Sequence, residues 1–262
     1  KNLEILNNHA HAAYMLDIDA ETFQIANCLV QGNHFTNIPE FVGYPSTVYY
    51  SYNTEITFNN CTFKDNVLNQ YSVLLRPNGA SKSFLYNLKF YNNTVVSNGG
   101  LTELPVGNKG TFTNVSMYNN TLNGKASMMR FGDGTTGTTT NLTIYDNLFH
   151  QKASILESKD LAKVTITNSI ISNNIKELLS GSAETEEALF SGKNGRVTIQ
   201  NTYFTNCTAL FYITDELLDL KNIVIENTQP LDYVLKILKA FMGQATINNL
   251  TIYGNSDGFD LE

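Results

Sequence analysis

Short runs of alternating apolar and polar residues change phase at regularly spaced asparagines. Ile56 and Phe58 precede Asn60 at alternate positions, whereas Cys61 and Phe63 follow it one and three residues later. Side chains of a strand alternate between two faces, so one uninterrupted strand cannot bury both sets. The pattern therefore predicts two strands that meet at a corner, with the asparagine as the corner residue.

One frame repeats along the chain: an asparagine, an apolar residue three positions later and a second asparagine six positions later. Complete copies begin at Asn2, Asn27, Asn60, Asn87, Asn114, Asn141, Asn168 and Asn249. Incomplete copies begin at Asn201 and Asn222, where Cys207 and Thr228 replace the second asparagine. Successive copies are most often 27 residues apart, which is typical of a solenoid. We expect the leading asparagines to stack as a ladder, because asparagine tolerates left-handed backbone and its amide both donates and accepts.

A third apolar stretch lies later in each repeat, as in Val73 to Leu75 and Leu101 to Leu104, and turn residues follow it. Three short strands per repeat predict an all-β fold, a parallel β-helix of about ten coils of about 27 residues. A β-sandwich also has short alternating strands, but nothing in it would maintain the period. We assign residues 1–262 to a single β-helix domain and, since no cap is recognisable, expect a segment of a longer solenoid or multi-chain assembly. Residues 231–242 fit either an amphipathic helix or a strand.

Charge and cysteine content narrow the function classes. The net charge of −7 and the presence of only three arginines argue against a nucleic-acid footprint. No apolar stretch approaches the roughly 18 residues that would suggest a membrane span. Cys28 and Cys61 occupy the same inward position on adjacent coils, and we expect two buried free thiols, with a disulfide as the alternative. Cys207 is expected at an outer corner.

The runs "FNNCTFKDN", "FYNNTVVSNGG" and "VTITNSIISNN" resemble the asparagine-rich repeats of the pectin-lyase-like right-handed β-helix superfamily. They are most similar to the polymorphic outer-membrane-protein repeats of bacterial and protist surface proteins. The resemblance covers nearly the whole chain and implies a right-handed solenoid. That superfamily includes lyases, hydrolases, adhesins and structural rods, so the resemblance alone does not choose a function.

One set of charged residues is a candidate site. Arg76, Glu103, Arg130 and Glu157 follow one another at intervals of 27 residues. They should therefore stack on one face, and two interpretations remain open. The first is a surface ladder of exposed ion pairs, each contributing about 0.2–1 kcal/mol. The second is a lyase site, in which Arg130 acts as a base beside a carboxylate-bound Ca²⁺.

Other side chains are weaker candidates. Tyr49 and Tyr50 lie in an insertion that could contact a glycan or a protein. Asp17, Asp19, Glu21, His9, His11 and His34 were weighed as metal ligands, but no metal site or cofactor is assigned. Threonine pairs at the same repeat position resemble the hydroxyl rows of some ice-binding solenoids, and they are Thr111 with Thr113, Thr138 with Thr140, and Thr165 with Thr167.

Glycosylation sequons fall into two groups. Those at Asn60, Asn114, Asn141 and Asn249 use leading asparagines, whose amides we expect to be occupied in the ladder and closed to a transferase. Those at Asn92, Asn119 and Asn206 are expected at an outer turn, open to modification.

We therefore expect a non-enzymatic, extracellular or cell-surface structural or adhesive module within a larger surface protein or fibre. Its expected partners are neighbouring segments or other chains at the coil ends, with glycans as a further candidate. The alternative is a polysaccharide lyase or hydrolase, or a glycan-binding module, of the same fold.

Overall fold

The computed structural model describes residues 2–11, 16–18, 21–36, 50–51, 55–77, 82–177, 188–208, 211–214, 217–228, 238–241 and 244–254. All regular structure in these residues is β-strand. The strands are β1 (Leu3–Leu6), β2 (His9–His11), β3 (Asp17–Ile18), β4 (Thr22–Ala26), β5 (Cys28–Gln31), β6 (His34–Thr36), β7 (Tyr50–Ser51), β8 (Glu55–Asn59), β9 (Thr62–Lys64), β10 (Val67–Asn69), β11 (Val73–Leu75), β12 (Lys82–Tyr86), β13 (Lys89–Tyr91), β14 (Thr94–Val95), β15 (Gly100–Leu104), β16 (Lys109–Tyr118), β17 (Thr121–Leu122), β18 (Ser127–Phe131), β19 (Thr136–Tyr145), β20 (Leu148–His150), β21 (Ser154–Ser158), β22 (Lys163–Ser172), β23 (Ile175–Glu177), β24 (Phe190–Lys193), β25 (Arg196–Thr205), β26 (Phe211–Thr214), β27 (Leu217–Glu226), β28 (Leu238–Phe241) and β29 (Gln244–Tyr253).

Each strand pairs in parallel with its counterpart in the neighbouring repeat. The largest sheet has 13 strands and runs from β1 to β29, and it contains the strands on both sides of the leading asparagine. Two sheets of seven strands form the other walls, one from β2 to β23 and one from β11 to β28. The chain therefore coils, and the predicted all-β parallel β-helix is confirmed. Within residues 231–242, Leu238–Phe241 is a strand, and residues 231–237 and 242 lie outside the described part.

The leading asparagines form the predicted corners. Asn87, Asn114 and Asn141 have φ angles of 55°, 56° and 56°, in the left-handed region. Asn114 Nδ2 donates to Asn87 Oδ1 and Asn141 Nδ2 donates to Asn114 Oδ1, each over 3.0 Å. We call this row of leading asparagines the outer ladder, because its side chains are exposed.

The second asparagine of each frame forms an inner ladder inside the coil. Its members are Asn33, Asn66, Asn93, Asn120, Asn147 and Asn174, and none is more than 2% exposed. Asn120 shows the pattern: its backbone N–H and Nδ2 donate to Asn147 Oδ1 over 2.9 and 3.0 Å, and Nδ2 also donates to the Phe90 carbonyl over 3.0 Å. Each amide thereby satisfies buried backbone groups of the adjoining coils, which is what allows so polar a residue inside.

Cys207 belongs to the inner ladder, so its expected position at an outer corner is wrong. It is fully buried, and Asn174 Nδ2 lies 3.9 Å from its sulfur. Burial raises its pKa to about 11. The physical reason is its position: Cys207 replaces the second asparagine of its frame, and that position faces inward.

Each coil has a short strand that the sequence did not reveal. It follows the inner asparagine, as in β10, β17 and β20. In these strands only one side chain is buried, namely Leu68, Leu122 or Phe149. One apolar residue cannot display an alternation, so these segments read as turns in the sequence.

The interior is a stack of similar side chains from successive coils. The Phe63 and Phe90 rings stack with centroids 4.7 Å apart and an interplanar angle of 7°. Cys28 and Cys61 are buried free thiols, as predicted. Their mutual hydrogen bond raises the pKa of Cys28 and lowers that of Cys61. The described residues form no helix that is long and apolar enough to cross a membrane.

Candidate functional site

Arg76, Glu103, Arg130 and Glu157 lie in one row along the helix axis, which we call the alternating column. Strand pairing places Glu103 beside Arg130, and Arg130 beside Glu157. Arg76 Nε lies 3.3 Å from Glu103 Oε1, Arg130 Nη1 lies 3.7 Å from Glu103 Oε2, and Arg130 Nε lies 2.7 Å from Glu157 Oε2. Each arginine thus contacts a carboxylate one coil away, so the column neutralises itself.

The expectation that these are exposed surface pairs is wrong. The exposed fractions are 11% for the Arg130 side chain and 14% for Glu103. The residues follow short buried stretches of β11, β15, β18 and β21, whose turns rise around them. Arg130 Nη1 donates to the Asn98 carbonyl over 3.0 Å, and Nη2 donates to the Lys125 carbonyl over 3.1 Å.

The surroundings hold Arg130 in its charged form. Burial lowers the pKa of its guanidinium, but the carboxylates of Glu157 and Glu103 more than compensate, so the pKa lies above its usual value. Glu157 also accepts a hydrogen bond of 3.0 Å from Ser127 Oγ. A general base must give up its proton before it reacts, and these contacts oppose that.

A second row of charge lies on the outer face of the strands before the corner, and sequence reasoning missed it. This basic column consists of Lys82, Lys109, Lys163 and Arg196, with Thr136 in the middle row. All five side chains are exposed. The signal was available in the sequence, because Lys82 and Lys109 are one period apart and Lys163 lies two periods further on.

The charges of the basic column are mostly uncompensated. Arg196 Nε lies 3.5 Å from Asp219 Oδ2. Glu55 is the strand neighbour of Lys82, but they form no ion pair. Over the ranges that the structure describes, none of the three lysines makes an ion pair. This column differs from the alternating column both in its exposure and in its single sign.

Threonines flank the basic column on the same outer face. Thr111, Thr138 and Thr165 pair across β16, β19 and β22, and Thr198 continues the row on β25. In the next row, Thr140 and Thr167 hydroxyls lie 3.1 Å apart, and Thr167 Oγ1 also donates to a backbone carbonyl. The first row is therefore freer to meet a ligand than the second.

An aromatic pair completes this face at the Lys82 end. The Phe84 and Tyr86 rings stack with centroids 6.0 Å apart and an interplanar angle of 21°. We call the surface formed by the basic column, the Thr111 to Thr198 row and this pair the Lys–Thr face.

The tyrosine candidates cannot be assessed. Tyr49 lies outside the described residues, and so does the side chain of Tyr50, whose backbone belongs to β7. A different aromatic feature is present after the corner: Tyr91, Tyr118 and Tyr145 stack with centroid separations of 4.9 and 4.8 Å. Burial and the neighbouring phenols raise the pKa of Tyr118. These rings cover one another's faces, so they present edges and hydroxyls to solvent.

Both groups of sequons are exposed, and they differ in hydrogen bonding rather than in burial. Asn92, Asn119 and Asn206 occupy a second left-handed corner, with φ of 54°, 52° and 50°. Asn92 Nδ2 donates to Asp65 and Asn206 Nδ2 donates to Asn173. Asn119 makes no side-chain hydrogen bond within the described part of the chain. The leading asparagines with sequons all donate along the outer ladder, namely Asn60, Asn114, Asn141 and Asn249.

The residues weighed as metal ligands do not come together in what is described. His9 and His34 rings make an edge contact with centroids 5.3 Å apart. Asp17 lies in β3, and Asp19 falls outside the described residues. Within the described ranges, no three side chains of histidine, cysteine, aspartate or glutamate are grouped to hold a metal ion.

Comparison with known proteins leaves the fold and these surfaces as the basis for inference. No protein-family model matches the chain, and a search of curated proteins finds no significant relative.

Proposed function

We propose that this chain is a non-enzymatic structural or adhesive β-helix module of a larger surface protein or fibre, acting outside the cell. The observation that carries the proposal is the environment of Arg130. Its guanidinium already contacts Glu103, Glu157 and two backbone carbonyls. The arginine that best fitted a catalytic role by spacing is thus bound up in holding neighbouring coils together.

The two asparagine ladders support a scaffold role. The inner ladder joins coils through buried amides, and the outer ladder joins them again at the corner. Hydrogen bonds along both rows fix the spacing of every coil and so keep the outer faces regular. A regular outer face is what an adhesive or structural rod displays to its partner.

We further propose membership of the pectin-lyase-like superfamily, close to the polymorphic outer-membrane-protein repeats. The support is the resemblance of the asparagine-rich runs together with the parallel coils that they form. The sequons and the displayed outer faces are consistent with an extracellular location. Detection on intact cells by an antibody that does not enter them tests that location.

The alternative is a polysaccharide-active enzyme or a glycan-binding module. The exposed Lys–Thr face favours glycan binding over catalysis, because it combines uncompensated cations with hydroxyl groups.

A depolymerisation assay separates the proposal from the enzyme alternative. The protein is incubated with acidic and neutral polysaccharides, with and without Ca²⁺, while unsaturated uronate absorbance and new reducing ends are followed. We expect no product. Product formed by the wild type and lost in Arg130→Ala would establish a lyase site and refute the structural role.

A further inference from the structure

We infer that the Lys–Thr face binds a linear acidic polysaccharide that lies along the helix axis. The inference rests on the proposed adhesive function and names the chemical class of its partner.

The first argument is electrostatic. Neighbouring coils are about 4.8 Å apart, and like charges stacked at that spacing repel one another. In the alternating column the chain cancels such repulsion with glutamates. In the basic column it does not, although the whole protein has a net charge of −7. A ligand with repeating negative charges would supply the missing counter-charges.

The second argument is the repeat of the charges. A linear polyuronate carries one carboxylate per sugar, and a sugar is about as long as the rise of one coil. The row from Lys82 through Thr136 to Arg196 spans five successive coils. One polymer chain could therefore place a carboxylate near each cation. The shortest oligomer to bind fully should have about five sugars.

The third argument is the chemistry beside the cations. The hydroxyls of Thr111, Thr138 and Thr165 can donate to and accept from the hydroxyls of a sugar. Phe84 and Tyr86 offer an apolar surface at one end, suited to the C–H face of a sugar ring. A single-stranded nucleic acid would instead require aromatic side chains at intervals along the groove, and the face has them only at that end.

The test is a binding measurement with a charge-reversed face. Fluorescently labelled polygalacturonate is titrated with wild type, Lys109→Glu/Lys163→Glu and the control Lys89→Glu/Lys159→Glu. The control changes the net charge equally, but Lys89 lies after the corner and Lys159 lies in the turn between β21 and β22. A neutral polymer with reduced carboxyl groups and a single-stranded DNA serve as competitors.

We expect wild-type binding that weakens with added salt and a loss of affinity on the order of tenfold in Lys109→Glu/Lys163→Glu. The control should stay within about twofold of wild type, since its lysines lie off the face. Neither competitor should displace the polyuronate. Melting curves establish that the variants fold, and Lys109→Gln/Lys163→Gln replaces the reversed pair if it does not.

Three results would overturn the inference: no wild-type binding at low salt, equal losses in both double variants, or displacement by DNA as effective as by unlabelled polyuronate. The chain length of the polymer is measured in the same samples. Shortened polymer would contradict the non-enzymatic function, whereas intact but unbound polymer would contradict only the glycan-binding inference.

Discussion

Arg130 Nε lies 2.7 Å from Glu157 Oε2 on the next coil, and 89% of the Arg130 side chain is shielded from water, since only 11% is exposed. Ion pairs in this position behave differently from surface pairs. Removing one partner leaves the other charge in a poorly solvated site, so the loss exceeds what the pair contributes.

Arg130→Ala should therefore lower the free energy of unfolding by about 2–3 kcal/mol, more than an exposed pair would. The matched control is Arg196→Ala, because Arg196 pairs with Asp219 at 3.5 Å with side chains 53% and 36% exposed. That change should cost under about 1 kcal/mol. Denaturant unfolding of both variants gives the comparison, and equal small losses would show that the alternating column contributes no more than surface charge.

The inner and outer ladders should differ in their contributions to stability. Asn120→Ala removes an acceptor for the Asn93 amide and a donor to the Phe90 carbonyl, all buried. We expect a loss on the order of 3 kcal/mol, because several buried groups are left unpaired.

Asn141 provides the contrast on the outer ladder. Asn141→Leu should cost about 1–2 kcal/mol, chiefly because leucine resists the left-handed backbone at φ 56°. Asn141→Gly accepts that backbone, so it should cost well under about 1 kcal/mol. Thermal and urea unfolding measure all three variants, and a large loss in Asn141→Gly would mean that the exposed amides dominate.

Cys207→Asn should stabilise the protein by about 1 kcal/mol. The Cys207 sulfur lies 3.5 and 3.4 Å from the carbonyls of Ile171 and Thr205, where an inner-ladder amide would donate. The introduced amide would also accept from Asn174 through oxygen, a better acceptor than sulfur. A lower melting temperature than wild type would show that this level of the stack has been repacked around the smaller thiol.

Stability should fall at alkaline pH through the Cys207 thiol. Its pKa is raised from 9.0 to about 11, so the folded chain retains a proton that the unfolded chain has lost. The contribution is complete below pH 9 and disappears as pH rises from 9 to about 11. It amounts to about 3 kcal/mol. Unfolding of wild type and Cys207→Ser across this range isolates the effect, and parallel pH profiles would contradict it.

Sugars should appear at Asn92, Asn119 and Asn206 when the chain passes through a glycosylating secretory pathway. Asn119 is the strongest candidate, because its exposed side chain makes no hydrogen bond within the described residues. Asn141 has the same sequon but donates to Asn114. Glycopeptide mapping measures the occupancy of each site. Sugar on Asn141 together with bare Asn119 would show that ladder bonding does not govern access.

The sequence predicted positions along a column better than depth within the coil. A period of 27 residues placed Arg76, Glu103 and Arg130 in one row, because register in a parallel solenoid follows from spacing alone. Burial depends on the turns that rise beside a strand, and no periodicity encodes them. The second asparagine of the frame therefore read as another corner, and Cys207 with it.

The way the coils are joined also has a mechanical consequence. A coil at either end of a pulled stack is held only by the bonds to one neighbour, so tension should detach coils singly. A repeat of 27 residues, the spacing of Asn114 and Asn141, can extend to roughly 90 Å, against a rise of about 4.8 Å in the stack. Under load this rod would lengthen in steps and dissipate force, as an extensible tether does.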